Sequence, residues 1–375
     1  MIRDALIPLL REPSAAIRLT LADWDKVIRQ ARNANLSARI AADLEALDLL
    51  GKVPDGPRQH LIAARAVGER QRIATLAEVE RVRKAIEDSG NRLVLLKGAA
   101  YLAAELPASR GRVFGDIDLL IPRARLPDAE SMLMCHGWIS THLDEYDQRY
   151  YRQWMHELPP LRHMNRGSAL DVHHNILPLS ARQPPDANLL LEQAVPAGHT
   201  PGVWVLAPAD MVLHSACHLF HEGELDNGLR DLVDLDSLLR HFSTVRGFWL
   251  ALEQRATALH LERPMRYALR MCARMLETPI PAETLAFGGT WPADLRERLL
   301  EQLYLRGLRP NDPTAGDAWT PIALRLLYLR GHWLRMPPHL LVAHLARKAW
   351  RQWSGRQDDD EAISDPDAIK PDKQV

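Results

Sequence analysis

Two aspartates one residue apart, Asp116 and Asp118, lie inside the run Phe114-Gly115-Asp116-Ile117-Asp118-Leu119-Leu120-Ile121. Side chains at i and i+2 share one face of a strand, so both carboxylates project together while Ile117 and Leu119 point into the core. Two like charges so close repel unless a cation sits between them. Mg²⁺ (or Mn²⁺), a hard ion that takes oxygen ligands, meets that requirement. Such a pair suits phosphoryl chemistry, in which metal ions neutralise a triphosphate and activate the attacking oxygen. Upstream, Leu93-Val94-Leu95-Leu96 reads as a short buried strand closed by Lys97-Gly98 and followed by a short helix over Ala99 to Leu106. A glycine between strand and helix lets the backbone approach a phosphate at the helix N-terminus, and Lys97 and Arg112 add positive charge. Gly115, next to the first aspartate, is placed with this nucleotide-binding set. On these grounds Gly98→Val is expected to harm nucleotide binding more than folding. Asp118→Asn is expected to leave metal-free stability equal or higher, because it relieves repulsion between unpaired carboxylates.

A further strand is expected over Ser168 to Ile176, where alternation puts Asp171 and His173 on one face and Leu170 and Val172 on the other. His173 is a candidate substrate contact, as are His156 and His163 in the loop before that strand. A rival constellation is His214, His218 and His221 on one helix. His214 and His218 stand at i and i+4 and are able to face one metal. Ser215 and Cys217 break any HExxH pattern, however, so polar packing between helices is the expectation there, as it is for Asp231, Asp234 and Asp236.

A strand ending in glycine, a short helix, then a second strand with Asp-x-Asp amid aliphatics resembles the nucleotidyltransferase superfamily that includes polymerase beta. The closer resemblance is to a bacterial nucleotidyltransferase family with LKG, an arginine four residues before the first aspartate, DIDLLV and a later VDLHW-like strand. Here these are Leu96-Lys97-Gly98, Arg112, Asp116 to Ile121, and Leu170-Asp171-Val172-His173-His174. The helix start Pro208-Ala209-Asp210 and the basic C-terminal segment are also similar. The resemblance covers most of the chain. It implies a Mg-dependent transfer of a nucleoside monophosphate from an NTP, with ATP expected, to an acceptor hydroxyl on a small molecule, saccharide, protein or RNA end. It makes Asp171 the third carboxylate, holding metal and serving the acceptor, and assigns Lys97, Gly98 and Arg112 to the triphosphate. One departure is Ala99, where the superfamily has a second Gly or Ser. It leaves open a nucleotide-binding scaffold without turnover, and a hydrolase built on the His214 cluster is a third class.

These residues need elements to hold them. The 375 residues are 46% apolar and 25% charged, an ordinary globular composition with room for more than one packed unit. A formal net charge of -1 excludes a global pull toward nucleic acid. Apolar positions recur at helical spacing from Ala15 to about Asp88 and again from Pro208 to about Trp353. The expected fold is therefore α+β: a small mixed β-sheet core over 89–205 between a helical region at 1–88 and a helical domain at 206–356, predominantly helical overall. Residues 357–375 read as an acidic, disordered tail. Cys135, Cys217 and Cys272 lack CxxC spacing, which with the absence of a long apolar span suggests a cytoplasmic protein. From Trp319 to Gln357 there is no acid, while arginines alternate with Tyr328, Trp333, Trp350 and Trp353. Weak contact with an anionic partner is one reading of that segment. The expected one is an outer helical face anchored by Leu326, Leu329, Leu340, Leu341 and Leu345.

Overall fold

The computed structural model describes residues 4–141, 144–198, 200–221, 223, 225–287 and 295–335. The chain enters through helices α1 (Leu6–Arg11), α2 (Leu21–Asn33), α3 (Ser37–Ala46) and the long α4 (Asp55–Asp88). A capping box starts α2: the Asp23 N–H donates to the Thr20 hydroxyl while the Thr20 N–H donates to the Asp23 carboxylate. Strand β1 (Leu93–Leu96), helix α5 (Lys97–Ala103), strand β2 (Asp116–Leu120), helix α6 (Leu126–Cys135), strand β3 (Trp138–Ser140) and helix α7 (Glu145–Trp154) follow. Next come β4 (Leu161–His163), β5 (Ala169–His173), helix α8 (Ala187–Gln193), β6 (Val195–Pro196) and β7 (Val203–Val205). The remainder is helical: α9 (Pro208–His221), α10 (Gly228–Phe242), α11 (Phe248–Ala258), α12 (Glu262–Leu276), α13 (Ala282–Leu285), α14 (Leu295–Gly307) and α15 (Thr320–Arg335).

Among the described residues the strands form one mixed sheet in the order β3-β4-β5-β2-β1-β7-β6. The fold is α+β and mainly helical, as the two periodicities imply. Strand pairing sorts the central side chains into two faces. One carries Leu93, Leu95, Ile117, Leu119, Leu170, Val172, Val203 and Val205, all buried. Removing eight aliphatic side chains from water at roughly 1.5–3 kcal/mol each is what fixes the register, since a one-residue slip would turn that face to the other side. The opposite face carries Val94, Leu96, Asp116, Asp118, Asp171 and His173. Buried apolar residues from Leu6 to Leu327 pack as one continuous cluster, so the helices before and after the sheet in the chain share its core.

Strands β3, β4, β6 and β7 have two or three residues each, too short for an alternation pattern to register in sequence. One expectation is corrected. Leu326 and Leu329 are about half exposed, and α15 instead buries Ala323 and Leu327. The 3.6-residue period turns those two positions inward, and Arg330 also reaches in, donating from Nη1 to the Phe220 carbonyl and the Tyr304 hydroxyl. Leu340, Leu341, Leu345 and the acidic tail lie outside the described residues. Among the described residues no helix is long and apolar enough to cross a membrane.

Candidate active site

The Asp-x-Asp pair stands at the beginning of β2, and parallel pairing with β5 sets Asp118 directly beside Asp171. Neighbouring strands lie about 4.8 Å apart, so carboxylates at paired positions on one face meet. Asp116, Asp118 and Asp171 each offer an oxygen within 4.8 Å of the others. Asp116 is exposed at the strand's open end, Asp118 is buried and Asp171 half-buried.

Asp118 is the anchored member of the three. Its Oδ1 accepts from Lys97 Nζ at 2.8 Å and from His173 Nε2 at 2.9 Å. Burial pushes its carboxyl up, but the Lys97 charge and the His173 hydrogen bond outweigh burial and hold it well below the ordinary carboxylate range. The other two are pushed the opposite way. Asp116 is raised first by the Asp118 charge and then by desolvation; Asp171 is raised well above its usual value by burial, then by Asp118, Glu157 and Asp116. A raised folded-state pKa means that ionisation costs stability at neutral pH and that the cost is relieved as pH falls. Asp116→Asn is therefore expected to raise the metal-free melting temperature and to shrink any increase produced by added Mg²⁺. Thermal melts with and without Mg²⁺ check both, and a lower metal-free melting temperature in the variant would contradict this.

Lys97 opens α5 with φ of +46°, a left-handed conformation that costs a non-glycine residue about 1–2 kcal/mol. Its ion pair with Asp118 crosses from the end of β1 to β2, where Leu96 and Asp118 are paired. Gly98 follows in regular helix. A Cβ there would lie 2.1 Å from Arg112 Nη1 and 2.7 Å from its Cζ, so the close approach that this glycine permits is that of the Arg112 guanidinium. The Arg112 side chain is itself only 10% exposed. Its Nε donates to Asp234 Oδ2 on α10 at 2.8 Å, and its guanidinium lies 6.0 Å from the Tyr101 ring centre and 5.6 Å from that of Phe114. The outcome expected of Gly98→Val changes accordingly. The variant displaces Arg112 from Asp234 and loses folding stability along with any nucleotide affinity; chemical denaturation showing unchanged stability would refute this. A Cβ at Gly115 would meet open space, which leaves room beside Asp116.

The histidines divide. His173 joins the carboxylates through Asp118, and His156 packs against it with ring centres 5.2 Å apart. His163 does not join them. Its Nδ1 accepts from the Asn165 and Arg166 backbone N–H groups, its Nε2 bonds the His136 carbonyl, and its ring meets Trp138 edge-on. These contacts shape the β4–β5 turn, which Arg166 ties to α4 by a forked pair with buried Glu78. His214, on α9, is buried, and burial followed by the Lys97 and His218 charges pushes it well below the usual histidine range, so it packs as neutral imidazole. His218 faces Asp231 at 3.8 Å, and His221 Nδ1 bonds the Cys217 carbonyl. Among the described residues the three do not form a metal-ligand group.

Arg230 and Glu157 escaped the sequence reading. Arg230 acts on Asp116 together with Lys97 and Arg112, each lowering its pKa, so three cations attend the carboxylate cluster. Arg230 sits beside Asp231 and four positions before Asp234 on α10, away from the strands whose alternation marks the site. Glu157 pairs across from His173 in an isolated antiparallel bridge, and Leu158 N–H donates to the Val172 carbonyl. Continuing the Leu161↔Leu170 register of β4 and β5 would put Leu158 opposite His173. The interruption at Pro159-Pro160, which cannot donate ladder hydrogen bonds, inserts one residue and brings Glu157 there instead.

The family model described as uncharacterised nucleotidyltransferase matches residues 20–277, more than two thirds of the chain. Neither the curated proteins nor the solved structures contain a significant match to it.

Proposed function

The chain belongs to the uncharacterised nucleotidyltransferase family, and from that premise we propose that it moves a nucleoside monophosphate from an NTP, with ATP as the donor, to an acceptor hydroxyl. The observation that carries this reading is the convergence of Asp116, Asp118 and Asp171 on one sheet face, attended by Lys97, Arg112 and Arg230. The donor set fits Mg²⁺: three hard carboxylates, of which Asp116 is raised first by the Asp118 charge and Asp171 first by burial and then by its acidic neighbours, a repulsion that a divalent cation removes. When bound, the ion supplies charge neutralisation along the triphosphate and at the attacking oxygen. Asp116, Asp118 and Asp171 would hold it. Lys97 and His173 fix the Asp118 carboxylate by meeting on its Oδ1. Asp171, beside Asp118 on the next strand, orients the acceptor hydroxyl and takes its proton. Lys97, Arg112 and Arg230 provide the field that draws in a triphosphate, Arg112 from behind Gly98.

The test is pyrophosphate release from each NTP with and without Mg²⁺, together with transfer of label from the α-phosphate to acceptors of each class: small alcohols, saccharides, protein hydroxyls and RNA ends. Mg-dependent release that matches label transferred is the expected result. Nucleotide binding without pyrophosphate release across all acceptors would overturn turnover and leave a scaffold, the reading that Ala99 after Gly98 favours.

A further inference from the structure

We propose that His156, Glu157 and His173 form a second divalent-cation site, suited to a borderline ion such as Zn²⁺ and joined to the carboxylate cluster through Asp118. The three side chains each offer a ligand atom within 4.8 Å of the others. Unlike the aspartate cluster this set holds two imidazoles, the donors that favour Zn²⁺ and later transition ions over Mg²⁺.

The orientation of His173 carries the argument. Its ring is 2% exposed, and Nε2–H donates to Asp118 Oδ1 at 2.9 Å. The other ring nitrogen, Nδ1, makes no hydrogen bond and lies 3.4 Å from Glu157 Oε2. That separation matches the edge of a tetrahedron around Zn²⁺, about 3.3 Å for ligands at about 2.0–2.1 Å. A histidine that binds a metal through one nitrogen and donates from the other to a carboxylate is a recurrent arrangement, and it fixes the tautomer and direction of the ring.

The backbone holds the site open in this geometry. His174 and Asn175 N–H groups both donate to the His156 carbonyl, and Leu158 N–H donates to the Val172 carbonyl, so residues 156 to 158 are pinned against the end of β5. The residue inserted at Pro159-Pro160 is what sets Glu157, rather than Leu158, opposite His173. Three protein ligands leave a fourth tetrahedral position for water or a substrate oxygen.

The test is equilibrium dialysis of the full chain against Zn²⁺ in excess Mg²⁺, without nucleotide, with bound metal counted by elemental analysis. Visible absorption of the Co²⁺-loaded protein reports tetrahedral nitrogen and oxygen ligation. The unmodified chain and Asp116→Asn should each retain one Zn²⁺. Glu157→Gln and His156→Gln, with folding verified by circular dichroism, should each weaken retention by roughly a hundredfold or more and lose the Co²⁺ bands. Failure of the folded unmodified chain to retain Zn²⁺, or unchanged retention in both variants, would overturn the site. Loss in Asp116→Asn to the same degree would place the ion among the aspartates and overturn it too. The proposal does not rest on nucleotidyl transfer, and because nucleotide is absent its failure leaves the outcome of the pyrophosphate assay unaffected.

Discussion

Asp118→Asn will lower Mg-dependent nucleotide turnover by about a thousandfold and will also destabilise the fold without metal. The first effect follows from the role proposed for the carboxylate. Charge stabilisation by a bound ion is worth several kcal/mol in the transition state, and about 4 kcal/mol is a thousandfold in rate. The second effect reverses what the sequence suggests. Asp118 is not one of two unpaired charges; it is the acceptor shared by Lys97 and His173, with its side chain 3% exposed and that of Lys97 19% exposed. Removing the negative charge takes from the Lys97 ammonium the carboxylate it bonds, and breaking a largely buried pair from one side costs about 3 kcal/mol. Because the folded-state pKa of Asp118 is depressed, its contribution is fully present above the ordinary aspartate pKa and is lost as pH falls through the depressed value. Urea denaturation without divalent ions should therefore show a gap between variant and unmodified chain at neutral pH that closes in acid. Equal stability at neutral pH would mean that Lys97 finds another partner. Undiminished turnover would remove Asp118 from the mechanism.

The largest effect on stability is expected at Arg112. Arg112→Met should cost about 3–5 kcal/mol, and so should Asp234→Asn, because each leaves its partner buried and uncompensated. The guanidinium is 10% exposed and the carboxylate 6%. Burial pushes the Asp234 carboxyl up, opposed first by the Arg112 charge and then by the Arg230 charge and the Arg112 hydrogen bond. Replacing both with apolar residues, as in Arg112→Met combined with Asp234→Leu, should recover most of the loss, since no orphaned charge remains. A double-mutant cycle by chemical denaturation measures the coupling. Independent, additive losses would show that the two residues act separately. A small cost for Arg112→Met alone would show that Arg112 does not hold the joint between the sheet and α10.

Strand β1 was legible to the residue because four consecutive aliphatics between turn formers have no other compact use, and β2 and β5 because their residues alternate. The sides taken by Asp116, Asp118, Asp171 and His173 followed from the same alternation, which is a property of one strand and needs no knowledge of its neighbours. The family resemblance rested on those residues, and the match over 20–277 agrees with it. The fate of Arg112, Gly98 and His163 was not legible, because each is decided by a partner distant in sequence or by a turn: Asp234 for Arg112, Arg112 for Gly98, and the turn's backbone with Trp138 for His163. Leu326 and Leu329 had the right types for a buried stripe, but which side of a helix is covered depends on what packs there. By itself the sequence determined that Asp116 and Asp118 share one side of their strand and Asp171 and His173 one side of theirs, since the pleat is local. Only the tertiary structure decided that Asp118 stands level with Asp171, that Lys97 and His173 meet on one oxygen, and that Glu157 replaces Leu158 opposite His173. Register and bulges are set by hydrogen bonds between strands and by burial of the opposite face, and those exist only once the sheet has assembled.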